Sequence, residues 1–179
     1  KNFFQVDRGY INGNLEALLN YEALIIARPV RKFSEADRFA IDQYIMRGGK
    51  VLFFLDPVRP FTDSLAGGTT VALANQVGLE ELLFKYGVRV KTNLVADLQC
   101  NFVPVNTAPA SEQARYTMMP WVYYPLFSGP ESHPVTRGLN YVKSEFASTL
   151  DTIGGSGTDV RKTVLLATSS ASRQRDVPL

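Results

Sequence analysis

The feature that most constrains this chain is the stretch 21–57, in which two short, wholly apolar runs, residues 23–27 and 51–55, bracket a helical pattern. Nothing between them alternates polar with apolar side chains as a half-exposed antiparallel strand would. The stretch therefore reads as a βαβ unit whose strands are buried on both faces. The helix carries its own punctuation. Ser34 with Asp37 three residues later makes a capping-box pattern, Glu35 and Asp37 put negative charge at the positive end of the helix dipole, and Gly48-Gly49 supplies left-handed backbone to end it. Ala36, Ala40, Ile41, Tyr44 and Ile45 fall on one broad face that can lie on a sheet. Parallel strands joined in this way belong to open α/β sheets, which place ligands at the carboxyl ends of their strands. Asp56, directly after the second run, is the first candidate site residue.

At 179 residues the chain is long enough for one domain with a substantial core, and residues 1–179 are read as a single α/β domain. A net charge of +2, evenly spread, argues against a nucleic-acid surface. No apolar run is long enough to span a membrane, and Lys1-Asn2-Phe3-Phe4 is no signal peptide. The missing initial Met and the ending Asp176-Val177-Pro178-Leu179 suggest an excised soluble piece of a longer, membrane-anchored protein, one that itself needs no membrane contact.

In chain order, residues 3–6 read as a short strand and 14–19 as a short helix capped by Asn14. Residues 60–68 read as a mobile surface loop. Leu79, Leu82, Leu83 and Tyr86 mark a second helix closed by Gly87, and residues 88–90 and 94–96 follow as strands. From 99 to 137 six of the ten prolines interleave with aromatics, and no helical period survives. This segment is expected to hold one or two irregular edge strands, at 116–118 and 121–124, where proline is tolerated. Residues 141–150 and 163–168 read as further strands, separated by a flexible glycine-rich turn at 154–157. The expected architecture is a three-layer fold with a parallel or mostly parallel sheet and flanking helices.

The runs F-S-E-A-D-R-F-A-I-D-Q-Y-I-M-R-G-G-K-V-L-F-F-L-D-P-V, L-L-F-K-Y-G-V, D-L-Q-C, P-L-F-S-G-P-E-S-H-P-V-T-R-G-L and K-T-V-L-L-A-T-S-S cover nearly the whole chain. Together they closely resemble the gliding-motility members of the ABC-transporter auxiliary family. That resemblance implies a periplasmic domain of an inner-membrane-anchored protein that accompanies permease and ATPase subunits. It also implies a fold similar to flavodoxin-like and class I glutamine amidotransferase-like domains. No catalytic residues come with it.

Amidotransferase chemistry needs a thiolate nucleophile on a sharp strand-to-helix turn, with an activating His. Cys100 is the only cysteine and has no glycines around it, while His133 precedes Pro134 in what reads as a loop; the pair is read as an inert thiol and a loop histidine. Gly48-Gly49-Lys50 lacks the rest of a P-loop, and Gly155-Ser156-Gly157 lacks the third glycine of a dinucleotide fingerprint. One Cys and one His cannot supply a usual metal set, so neither a cofactor nor a metal is expected.

Carboxylates and an arginine at strand ends remain: Arg28, Asp56, Asp97 and Asp151. If these ends converge, they make a cleft for a small polar ligand such as a sugar; otherwise they cap turns and pair with one another. The aromatics Tyr116, Trp121, Tyr123, Tyr124 and Phe127 are either edge packing or a partner-contact surface. The leading expectation is a non-enzymatic auxiliary domain acting by protein or ligand binding. The alternatives are a periplasmic small-ligand module and a hydrolase- or amidotransferase-like enzyme.

Overall fold

The computed structural model describes residues 3–61, 71–109, 112–154 and 160–177. In chain order its elements are α1 (Leu15–Leu18), β1 (Ala23–Ala27), α2 (Glu35–Met46), β2 (Lys50–Phe54), β3 (Val58–Pro60), β4 (Ala72–Ala74) and α3 (Glu80–Lys85). There follow β5 (Val88–Val90), β6 (Asn93–Asp97), β7 (Cys100–Asn106), β8 (Tyr116–Phe127), β9 (Val142–Lys143), β10 (Leu150–Thr152) and β11 (Ser172–Asp176). Two compact units emerge, Lys1–Leu55 with Gln76–Lys85, and Asp56–Asn75 with Tyr86–Leu179.

The first unit is built on the βαβ stretch. Strands β1 and β2 pair in parallel, from Ala23 opposite Lys50 to Ala27 opposite Phe54. The Ser34 hydroxyl accepts from the Asp37 N–H at 3.1 Å while the Asp37 carboxylate accepts from the Ser34 N–H at 3.3 Å, so the capping box closes. At the other end Gly48 has φ 89°, and Gly49 has no room for a side chain because a Cβ there would meet the Tyr44 ring. Helix α2 buries Ala40, Ile41 and Tyr44, and Leu18, Ala40 and Tyr44 pack with Ile11, Leu15, Leu24 and Val51. The Tyr44 hydroxyl, carried into this core, donates to the Tyr21 carbonyl at 2.8 Å, which satisfies it. Asn14 caps α1 by accepting from the Ala17 N–H at 3.0 Å.

The second unit consists of short antiparallel pairings: β3 with β4, β5 with β10, β6 with β11, and the three-stranded order β7-β8-β9. Val58, Ala72 and Leu94 form its core, with Tyr123, Phe146 and Val177 packed on them. Asn93 is buried and its Oδ1 accepts both the N–H and the hydroxyl of Thr149, tying β6 to the approach to β10.

This architecture overturns the expected fold class. Small antiparallel sheets dominate, and β1 with β2 is the one parallel pairing among the described residues, so the molecule is not a three-layer parallel α/β fold of the flavodoxin-like or class I glutamine amidotransferase-like kind. The misreading began at the apolar runs. Ile25, Leu52 and Phe54 are 47–57% exposed, so β1 and β2 bury one face against α1 and α2 and leave the other open. A continuous apolar run is the signature of burial on both faces only when something covers the second face.

Other elements also differ. Residues 3–6 form no strand, 141–150 yield only the two-residue β9 before β10, and 163–168 contribute a single bridge, Ala167 with Ser128. Of the one or two edge strands expected at 116–118 and 121–124 there is one, β8, paired with the unanticipated β7. Strands β3, β4 and β11 were likewise unforeseen. Most of the loop expected at 60–68, and most of the glycine-rich turn at 154–157, lie outside the described residues.

Candidate functional site

Of the four residues proposed for strand ends, Arg28 belongs to the first unit and Asp56, Asp97 and Asp151 to the second. Arg28, in the first unit, follows β1 with φ 47°, a left-handed conformation few non-glycine residues adopt, and its N–H donates to the Phe54 carbonyl at 2.8 Å. In the second unit the Asp56 carbonyl accepts from Asn75 Nδ2 at 2.9 Å, and the Asn75 N–H in turn donates to the Pro57 carbonyl, closing the base of the β3–β4 hairpin. Asp151, on β10, forms an ion pair with Lys91 at 3.1 Å, with both side chains partly in solvent.

Asp97 is the buried one, 1% exposed at the end of β6. Its Oδ1 accepts from the Gln99 N–H at 2.9 Å and from the Ser169 hydroxyl, and its Oδ2 accepts from the Ser169 N–H at 2.8 Å. Burial pulls this carboxyl upward, but the hydrogen bonds from the Ser169 hydroxyl, the Gln99 N–H and the Ser169 N–H outweigh it and hold it below the usual carboxylate range. Asp97 thus fastens the β6–β7 turn to the start of the β11 segment. Sequence reasoning found Asp97 but missed Ser169. The signal available for that partner was only a Ser-Ser pair in a turn, which many loops contain.

The Cys100 and His133 placements are equally local. Cys100 is buried opposite Pro125 in the β7–β8 register. His133 lies in the turn after Ser128, where its Nδ1 accepts from the Val135 N–H at 3.2 Å and the Thr136 hydroxyl donates to the Pro130 carbonyl at 2.7 Å. Among the described residues no group of three His, Cys, Asp or Glu side chains is placed to hold a metal, and no helix is long and apolar enough to cross a membrane.

The aromatic segment has the most distinctive geometry. Proline lacks an N–H, and Pro104 on β7 and Pro120 on β8 both sit within the ribbon, positions tolerated where the backbone faces an open edge. Cross-strand partners are Phe102 with Pro120, Pro104 with Met118 and Asn106 with Tyr116, which places five apolar side chains on one face. That face is open: Phe102 is 53% exposed, Met118 59% and Tyr116 67%, whereas the other face is mixed, with Val103 and Val105 half-buried and their partners Met119 and Thr117 exposed.

Near the root of the ribbon the register breaks. The two steps from Cys100 to Phe102 face the five from Pro125 to Pro120, so residues 121–124 bulge from the ladder. The bulge turns its rings inward. Tyr123 packs on the core, with Trp121 edge-on to it at 6.1 Å between ring centroids, and Tyr124 meets Phe146 at 5.2 Å and 90°. Lys143 lies over the Tyr124 ring at 5.0 Å. Of the five aromatics proposed as contacts, Tyr116 is therefore the exposed one, and the other four are half-buried. Sequence reasoning missed Phe102 and Met118; residues 102–105 are apolar at every position and carry no period-two signal.

Comparison with known proteins gives a family and a likeness in fold. The family described as "ABC-type uncharacterized transport system" matches residues 1–179. A search of curated proteins finds no match. Among solved structures, the one titled "mmIFT52 N-terminal domain" is similar, with a TM-score of 0.58 and 19% sequence identity over 97% of this chain and 68% of that one. At that identity the likeness concerns fold alone.

Proposed function

The chain belongs to the family of ABC-type uncharacterized transport system auxiliary proteins, and from that membership we propose that it is a non-enzymatic contact domain that binds the permease subunit of the transporter. The observation that carries this reading is the open face of the β7–β8 ribbon, where Phe102, Met118 and Tyr116 stand exposed on a backbone stiffened by Pro104 and Pro120. Stiff backbone lowers the entropy lost on docking, and an exposed aromatic on such a frame is the kind of anchor that dominates binding energy. The missing donors at Pro104 and Pro120 disfavour strand addition at the ribbon's edges, so contact goes through side chains on its face.

The non-enzymatic reading rests on the engagement of the reactive groups: Cys100 is buried, one of the two His133 ring nitrogens, Nδ1, accepts from the Val135 N–H, and Asp97 is satisfied by its three donors. The sequence resemblance to gliding-motility members supports a periplasmic position on an inner-membrane-anchored protein of such a system. The test is a photo-crosslinking residue placed at Tyr116 in the full protein in cells, with a second at Arg175 on β11 as control. The expected result is an adduct with the permease subunit from position 116 and none from 175. Adducts from 175 alone would move the contact surface elsewhere.

A further inference from the structure

The first unit carries an unfilled strand position and an unused strand. The Arg28 N–H donates to β2, and backbone groups alternate sides along a strand, so Ile26 and Leu24 also face β2 while Ala23, Ile25 and Ala27 turn their N–H and carbonyl groups to the other edge, which no strand pairs among the described residues. Two-stranded sheets are marginal alone, and parallel sheets are normally covered on both faces. Here the uncovered face shows Ile25, Leu52 and Phe54. The same unit begins with residues 3–10, extended in sequence character and rich in Phe3, Phe4, Val6 and Tyr10, which are 72–88% exposed. None of them belongs to a strand. Their root is fixed, because the Gly13 N–H donates to Asp37 Oδ1 at 2.8 Å and Asn14 caps α1.

We propose that the open edge of β1 is a strand-acceptor site and that its occupant is the segment 3–6 of a second copy of this chain, giving a dimer by reciprocal strand exchange. Donor and acceptor lie on one polypeptide and are unpaired among the described residues, which is the condition under which two copies close a symmetric pair without any new surface. Added strands would satisfy the backbone groups of Ala23, Ile25 and Ala27, and Phe4 and Val6, which share one face of a strand, would leave water beside Ile25.

Sedimentation velocity of the chain over a hundredfold concentration range tests this. The expected result is a reversible dimer that Phe4→Pro weakens at least tenfold, with melting temperature and circular dichroism equal to the wild type's at concentrations where both are monomeric, because that residue is exposed and proline cannot donate to a ladder. A wild-type chain that stays monomeric throughout overturns the proposal. So does a dimer that persists unchanged in Phe4→Pro, and Gln5→Pro, on the same exposed segment, repeats the test if the first variant loses its fold.

Discussion

In the first unit a capped helix lays Ala40, Ile41 and Tyr44 onto one side of a parallel pair, whereas in the second unit two buried polar side chains, Asn93 and Asp97, hold β6 to chain more than fifty residues away. The contrast follows from the helix packed on the first unit's strands. Burial of a helix face supplies a contiguous apolar core, and apolar burial is non-directional, so it does not need every hydrogen bond in place. Around β6 the second unit relies instead on directional groups: β6 and β11 have five residues each and β10 three, and Asp97 with Ser169 and Asn93 with Thr149 add side-chain hydrogen bonds to their few ladder bonds. The first unit should therefore be sensitive to lost volume and the second to lost hydrogen bonds.

The largest expected effect is on the helical unit. Tyr44→Ala removes a ring that is 2% exposed and leaves both a cavity and an unpaired Tyr21 carbonyl, at a cost of about 3–5 kcal/mol in denaturant unfolding. Amide exchange should accelerate across α2 and β1 first. Next is Asp97→Ala, which strips the acceptor from three donors and should cost about 2–3 kcal/mol, with exchange accelerating at 97–99 and 169–172 while α2 keeps its protection. If both variants slowed or quickened exchange uniformly over the chain, the contrast between the units would fail.

Acid sharpens the same comparison, because each unit holds one carboxylate below its usual range. For Asp37 the largest influence is the Ser34 hydroxyl, opposed by burial and aided by the Gly13 and Ser34 N–H groups. For Asp97, burial is outweighed by its Ser169 and Gln99 donors. A carboxyl depressed on folding contributes stability that is fully present above its unfolded pKa and is lost as pH falls through the folded value. Stability should thus fall below about pH 4. Asp97→Asn should flatten the acid dependence of the second unit, and Asp37→Asn that of the first, to a smaller extent because Asp37 is partly solvated and screened. The smallest effect is Asp151→Asn, which breaks the solvent-facing pair with Lys91 and should shift unfolding by no more than about 0.5 kcal/mol.

What was legible in the sequence was local. Ser34, Asp37 and Asn14 specify caps by short-range chemistry, and the structure places each as expected. The parallel pairing of β1 with β2 followed from the crossover helix between them. The fold class was not legible, because apolar composition at Ile25, Leu52 and Phe54 does not say whether the second face is covered. Strand β11, Ser172–Asp176, is polar throughout, and its partner β6 supplies the buried Leu94 and Val95, so it has no hydrophobic period to detect. At the candidate site, Tyr116 was readable as an aromatic among prolines. That Trp121, Tyr123 and Tyr124 turn inward depended on a register shift between β7 and β8, which no local pattern encodes.

The central claim is that the open face of the β7–β8 ribbon binds the permease. It is tested most directly by the affinity of this chain for the permease subunit in lipid nanodiscs, measured for the wild type and for the double variant Tyr116→Ala, Met118→Ala. Both side chains are more than half exposed, so the melting temperature should hold while binding weakens by about 2 kcal/mol, roughly thirtyfold. Equal affinity of the two proteins at equal stability would contradict the account.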